Sequence, residues 1–141
     1  MSIPEFDPAT DALPVGIHEA TWLEVAARFG GNATRLRLLS GLRRALDILA
    51  AAGCTRVYLG GSFVTAKVEP GDWDACYDPN SVYSTEIPDF VLREDRGRMK
   101  GEFGGEMYVQ YDDEFNFLSF FQGNKGGLTV GVVALDPHSA Q

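Results

Sequence analysis

The stretch from Arg56 to Asp78, RVYLGGSFVTAKVEPGDWDACYD, leaves this chain little conformational freedom. Val57, Tyr58 and Leu59 form an apolar strand that stops at Gly60-Gly61-Ser62, and Phe63 to Lys67 reads as a helical start. Glu69-Pro70-Gly71 imposes a second turn, Asp72 to Tyr77 reads as the next strand, and Pro79 and Asn80 end it. Two strands separated by a glycine turn need a sheet and covering helices, which the flanking sequence must supply.

Upstream, Asn32 is a good N-cap, and Leu38, Leu42, Ala45, Leu49 and Ala52 recur at helical spacing, widened by Leu39 and Leu46. This predicts a helix over Ala33–Ala52, stopped by Gly53. Arg35, Arg37, Arg43 and Arg44 lie mostly off the stripe; they could bind phosphate, but a solvated helix face is the preferred reading. Trp22, Val25, Ala26 and Phe29 predict a shorter amphipathic helix over His18–Phe29. Residues 1–17, with Pro4, Pro8 and Pro14, read as an extended arm.

Downstream, residues 80–88 read as loop and Asp89–Gly101 as a charged helical segment. Met107, Val109 and Tyr111 alternate with Glu106, Tyr108 and Gln110, the period of a half-buried strand. Phe115–Gln122 and Leu128–Leu135 are strand-like runs joined by Gly123-Asn124-Lys125-Gly126-Gly127, a hairpin signal, and residues 137–141 form a tail. Phe115, Phe117, Phe120 and Phe121 read mostly as core; Phe120 and Phe121 fall on opposite faces, and an exposed aromatic there would mark a protein interface. At 141 residues the expectation is one domain over residues 18–136. Its class is α/β (α+β): a mixed, mostly antiparallel sheet of four or five strands with helices chiefly on one face.

The formal net charge of -8 disfavours nucleic acid and suits a basic partner protein. Cys54 and Cys76 have no metal-ligand spacing and read as reduced, buried thiols. The N-terminal stretch lacks the basic and apolar segments of a signal peptide, and nothing approaches the roughly 20 apolar residues of a membrane span, so a cytoplasmic location is expected. His18 and His138 lie near opposite ends and form no pair. Ser62, without a histidine partner, is not a hydrolase nucleophile.

Chemistry concentrates in the central stretch. Asp72 and Asp74, two apart on a predicted strand, project to the same side while Trp73 points into the core. Two close carboxylates repel unless a cation neutralises them, and a hard ion such as Mg²⁺ takes oxygen ligands and shares them with substrate phosphates. Gly60 and Gly61 let backbone N–H groups approach a phosphate, with Ser62 as a hydroxyl donor and Lys67 as a point charge. Neither GxxxxGK[ST] nor GxGxxG is present.

A strand, Gly61-Ser62, nine residues and then Asp72-x-Asp74 resembles the nucleotidyltransferase superfamily typified by DNA polymerase beta and the minimal nucleotidyltransferases. GGSFVTAKVEPGDWD, ARFGGNATRLRLL and FFQGNKGGLTVGVVALD are further similar to a small family of uncharacterised proteins, frequently encoded beside toxin genes as proposed antitoxins. The likeness spans about Glu19 to Asp136. It implies a nucleotidyltransferase fold and Mg²⁺-dependent transfer from a nucleoside triphosphate to a toxin or RNA hydroxyl, with Asp72 and Asp74 holding one or two ions. The superfamily's third carboxylate falls on Glu106 as first candidate and Asp112 as second. The alternative it implies is a weakly active or inactive antitoxin that neutralises a partner toxin by direct contact.

Overall fold

A computed structural model describes residues 3–80, 82, 96–110, 122 and 129–140. Among the described residues five strands form one sheet: β1 (Ile17–Glu19), β2 (Val57–Gly60), β3 (Trp73–Tyr77), β4 (Gly105–Val109) and β5 (Val132–Leu135). Their order is β1-β5-β2-β3-β4. The helices are α1 (Trp22–Phe29), α2 (Ala33–Ala51) and α3 (Arg96–Phe103).

The mixed α+β class holds, but among the described strands the pairing is evenly divided rather than mostly antiparallel. β2 runs antiparallel to β3 and β5, whereas β1–β5 and β3–β4 are parallel. Parallel neighbours need a long crossover. The connection containing α3 supplies it between β3 and β4, where sequence alternation shows each strand but not its direction.

Period-two alternation divides the sheet into two unlike faces. Leu59, Trp73, Tyr77, Met107 and Val133 join Leu42, Leu46 and Leu49 of α2 and Met99 and Phe103 of α3 in the main core. On the other face Cys76, Tyr108 and Val132 form a small buried cluster with Tyr58 packed against it. Among the described residues, the helical side chains in these clusters all belong to the first face. Cys54 and Cys76 are both free and buried, and burial pushes their thiols up to about 11 and about 12.

Three local expectations are corrected. The first helix begins at Trp22, not His18: Thr21 and Glu24 close a capping box, while Ile17–Glu19 gains a parallel ladder with β5. Phe63–Lys67 is not a helical start, because a single 3-10 turn over Gly61–Val64 gives way to extended backbone at Thr65. Arg35 is not solvated but buried within the structure. The Asn32 cap is present, its side chain accepting from Arg35 N–H, and α2 ends one residue earlier than expected.

The predicted strand at Phe115–Gln122, its hairpin turn and the paired Phe120 and Phe121 lie outside the described residues except for Gln122. So do most of the expected loop at 80–88 and the first part of the charged segment at 89–101. Among the described residues no helix is long and apolar enough to cross a membrane.

Candidate functional site

Asp74 stands opposite Gly60 on one side and opposite Glu106 on the other, because β3 pairs antiparallel with β2 and parallel with β4. Adjacent strands run about 4.8 Å apart, so the register makes Asp74 and Glu106 direct neighbours. Asp72 lies just before β3 and is half-buried. The strand register thus brings Glu106 beside the Asp-x-Asp pair, while Asp112 lies outside the described residues.

Gly61 explains why this turn accommodates a carboxylate. Its φ is +71°, and a Cβ built on it would stand 2.6 Å from Asp74 Oδ2. A side chain at this position would therefore be strained and would collide with the acid. Gly60 is buried in β2, and Ser62 is half-buried in the 3-10 turn, where its carbonyl accepts from Thr65 N–H and the Thr65 hydroxyl. The turn is one short 3-10 helix, so it offers no extended helix dipole toward a phosphate.

Asp74 bears the electrostatic cost of this arrangement. Its carboxyl is pushed up to about 7, first by burial and then by repulsion from Asp72 and Glu106, with Lys100 opposing. Lys100 Nζ lies 3.2 Å from Asp72 Oδ2, and this contact holds the ammonium pKa above its ordinary value. Glu106 accepts a hydrogen bond from the Tyr108 hydroxyl, two residues along the same strand. The described residues donate no hydrogen bond to the Asp74 carboxylate.

Among the described residues, Lys100 of α3 is a cation that the fold brings to the acids. Lys67 reaches the surface with no side-chain partner among the described residues, while its carbonyl accepts from Arg35 Nη2 at 2.7 Å. Arg35 also donates to the carbonyls of Phe29, Phe63 and Thr65, and its guanidinium lies 5.2 Å from the Phe63 ring centroid. It thereby fixes the loop that follows the glycine turn. Trp73 is the wedge on the core side: its indole N–H donates to the Phe103 carbonyl at 2.9 Å, and Gly105 leaves room for its ring.

Lys100 and Tyr108 escape a reading based on spacing alone. Tyr108 carries one visible signal, since its parity with Glu106 places both on one face of β4. The only signal for Lys100 is a cation in a helix-like segment shortly before an acidic strand.

Three carboxylates form the hard, all-oxygen donor chemistry that Mg²⁺ favours, and their mutual repulsion is what a divalent cation would relieve. Among the described residues, however, no group of three His, Cys, Asp or Glu side chains is arranged to hold a metal ion. The donor types fit, and closing them around an ion requires side-chain movement, including release of Asp72 by Lys100. A family model described as a family of unknown function (DUF6932) matches residues 4–136. No curated protein and no solved structure matches the chain.

Proposed function

Because the chain belongs to this family of unknown function, we propose its role from its own site: metal-dependent transfer of a nucleotide from a nucleoside triphosphate to a hydroxyl of a toxin protein or RNA. One observation carries this reading. Asp72, Asp74 and Glu106 are gathered against a glycine turn, and the central carboxyl is held near 7 by burial and by its acidic neighbours. Maintaining such repulsion has no structural benefit of its own and is characteristic of functional sites.

Asp72 and Asp74 would hold Mg²⁺, with Glu106 completing the set or acting as base. The ion supplies charge neutralisation at the phosphates and positions the reacting groups. Glu106 takes the proton of the acceptor hydroxyl, its orientation fixed by Tyr108. The acceptor oxygen forms a bond to the α-phosphorus, the bond to the β-phosphate oxygen breaks, and pyrophosphate carries away the electron pair. Backbone N–H groups of the Gly60-Gly61 turn would face the phosphates, with Ser62 of the 3-10 turn beside them.

Incubation with an α-labelled nucleoside triphosphate, Mg²⁺ and a co-purified partner or total RNA is expected to label the acceptor. Asp72→Ala should abolish both labelling and Mg²⁺ binding. Undiminished labelling in that variant would place the chemistry elsewhere.

The contact between Lys100 and Asp72 favours a second reading, because it supplies a resident cation where catalysis needs an exchangeable one. In that case the protein neutralises a partner toxin by contact alone. Neutralisation should then survive combined replacement of Asp72 and Asp74 by alanine; its loss in a folded double variant would exclude a purely steric role.

A further inference from the structure

A second chemical feature lies next to the acids, on the helical side of Lys100. α2 and α3 bound an open cleft of about 250 Å³ whose described lining includes Arg37, Arg44, Lys100 and one acid, Glu102. Such a concentration of cations is unexpected on a chain of net charge -8. We propose that this cleft is a binding site for a phosphate group of a small phosphorylated ligand.

The cleft follows from helix geometry. Arg37, Gly41 and Arg44 are spaced i, i+4, i+7 and share one face of α2. A Cβ on Gly41 would stand 1.8 Å from the Phe103 carbonyl oxygen, so the glycine allows α3 to lie directly on that face, between the two arginines. Arg44 is held by the Glu102 carbonyl and lies 5.5 Å from the Phe103 ring centroid, and its other N–H donors meet no further acceptor among the described residues. Arg37 has no side-chain partner among the described residues, and Lys100 uses one of its three donors on Asp72.

Planar guanidinium donors flanking a point charge suit a tetrahedral oxyanion, and charge-assisted bonds of this kind are the stronger class. The volume falls just below the roughly 300 Å³ at which whole small-molecule pockets begin, so it suits a phosphate group better than an entire nucleotide. The net charge of -8 on the whole chain disfavours a long polyanion, which selects a small ligand over a nucleic-acid strand. This inference does not depend on nucleotide transfer: the cleft binds phosphate whether or not the neighbouring acids catalyse.

Titration calorimetry of the full chain with inorganic tripolyphosphate, in metal-free buffer containing a chelator, tests it. Saturable binding that weakens with salt is expected, and Arg37→Gln should weaken it about tenfold or more, the loss of one charge-assisted bond. Arg44→Gln and Lys100→Gln should act in the same direction. Asp72→Asn should instead tighten binding by freeing Lys100 and removing a nearby negative charge. Absence of saturable binding, or unchanged affinity in Arg37→Gln, would overturn the proposal. A short phosphorylated oligonucleotide that binds more tightly than tripolyphosphate at equal salt would overturn the small-ligand assignment. Because Arg37 is exposed and has no side-chain partner among the described residues, its variant remains informative even if Arg44→Gln fails to fold.

Discussion

Arg35 and Asp74 are both charged groups withdrawn from water, and the protein surrounds them in opposite ways. Arg35 donates to four carbonyls, from Phe29, Phe63, Thr65 and Lys67, and lies against the rings of Phe29 and Phe63. Burial lowers its pKa, but its donors are met. Asp74 is half-buried, faces two further acids and receives no hydrogen bond from the described residues. The first arrangement is a closed junction between α2 and the loop after the glycine turn. The second is an unmet electrostatic demand, and unmet demands mark places where something else binds.

The largest expected effect therefore belongs to the closed junction. Arg35→Met removes the donor to four carbonyls at once, and chemical denaturation should register a loss of about 3–5 kcal/mol, the range for breaking a buried charged network. Arg35→Lys should recover only part of this, because an ammonium lacks the planar fork that spans the four acceptors. A loss below about 1 kcal/mol for Arg35→Met would mean that the loop is held by something else, and the contrast with Asp74 would lose its structural half.

Asp74 should respond to pH with the opposite sign from an ordinary salt-bridged acid. Its carboxyl binds a proton more tightly folded, at about 7, than unfolded, near its ordinary value of 3.8. Stability is then fully present in acid, declines from about pH 4 and levels off above about pH 7. The span is at most about 4 kcal/mol, reduced by solvent reaching the carboxylate. Asp74→Asn should remove this slope and leave the variant more stable than the natural chain at pH 8. A natural chain whose stability does not fall between pH 5 and pH 8 would show that the acids relax apart, so that the site carries no stored repulsion.

These two regions also differ in how far the sequence discloses them. The leucine stripe and Asn32 cap of α2 are local, and so is the alternation that turns Trp73 inward and Asp74 outward. The first helix shows how local signals compete: apolar spacing starts it at His18, whereas the Thr21 and Glu24 capping box marks the true start. Arg35 lies off the stripe, and its acceptors come from two separate segments, so nothing in its own helix announces burial. The neighbourhood of Asp74 and Glu106 depends on β3 and β4 being parallel and in register, a consequence of the crossover rather than of either strand. Lys100 meets Asp72 for the same reason, through the placement of α3.

Lys100 offers the smallest effect and the sharpest distinction between the two acid-site readings. As an exposed side chain it should change stability little when replaced. Its charge nevertheless opposes any cation that approaches Asp72 and Asp74, while attracting any anion that enters the cleft beside them. Lys100→Gln should therefore tighten Mg²⁺ binding, by less than about tenfold because water and salt screen an exposed charge, and weaken tripolyphosphate binding in the same protein. Calorimetry with each ion separately reads both changes. If Mg²⁺ affinity is unmoved while tripolyphosphate affinity falls, Lys100 serves the cleft and not the acids, and its contact with Asp72 is incidental to cation binding. If both ions respond with the expected opposite signs, Lys100 is the electrostatic link between an acid site awaiting a cation and a basic cleft awaiting a phosphate.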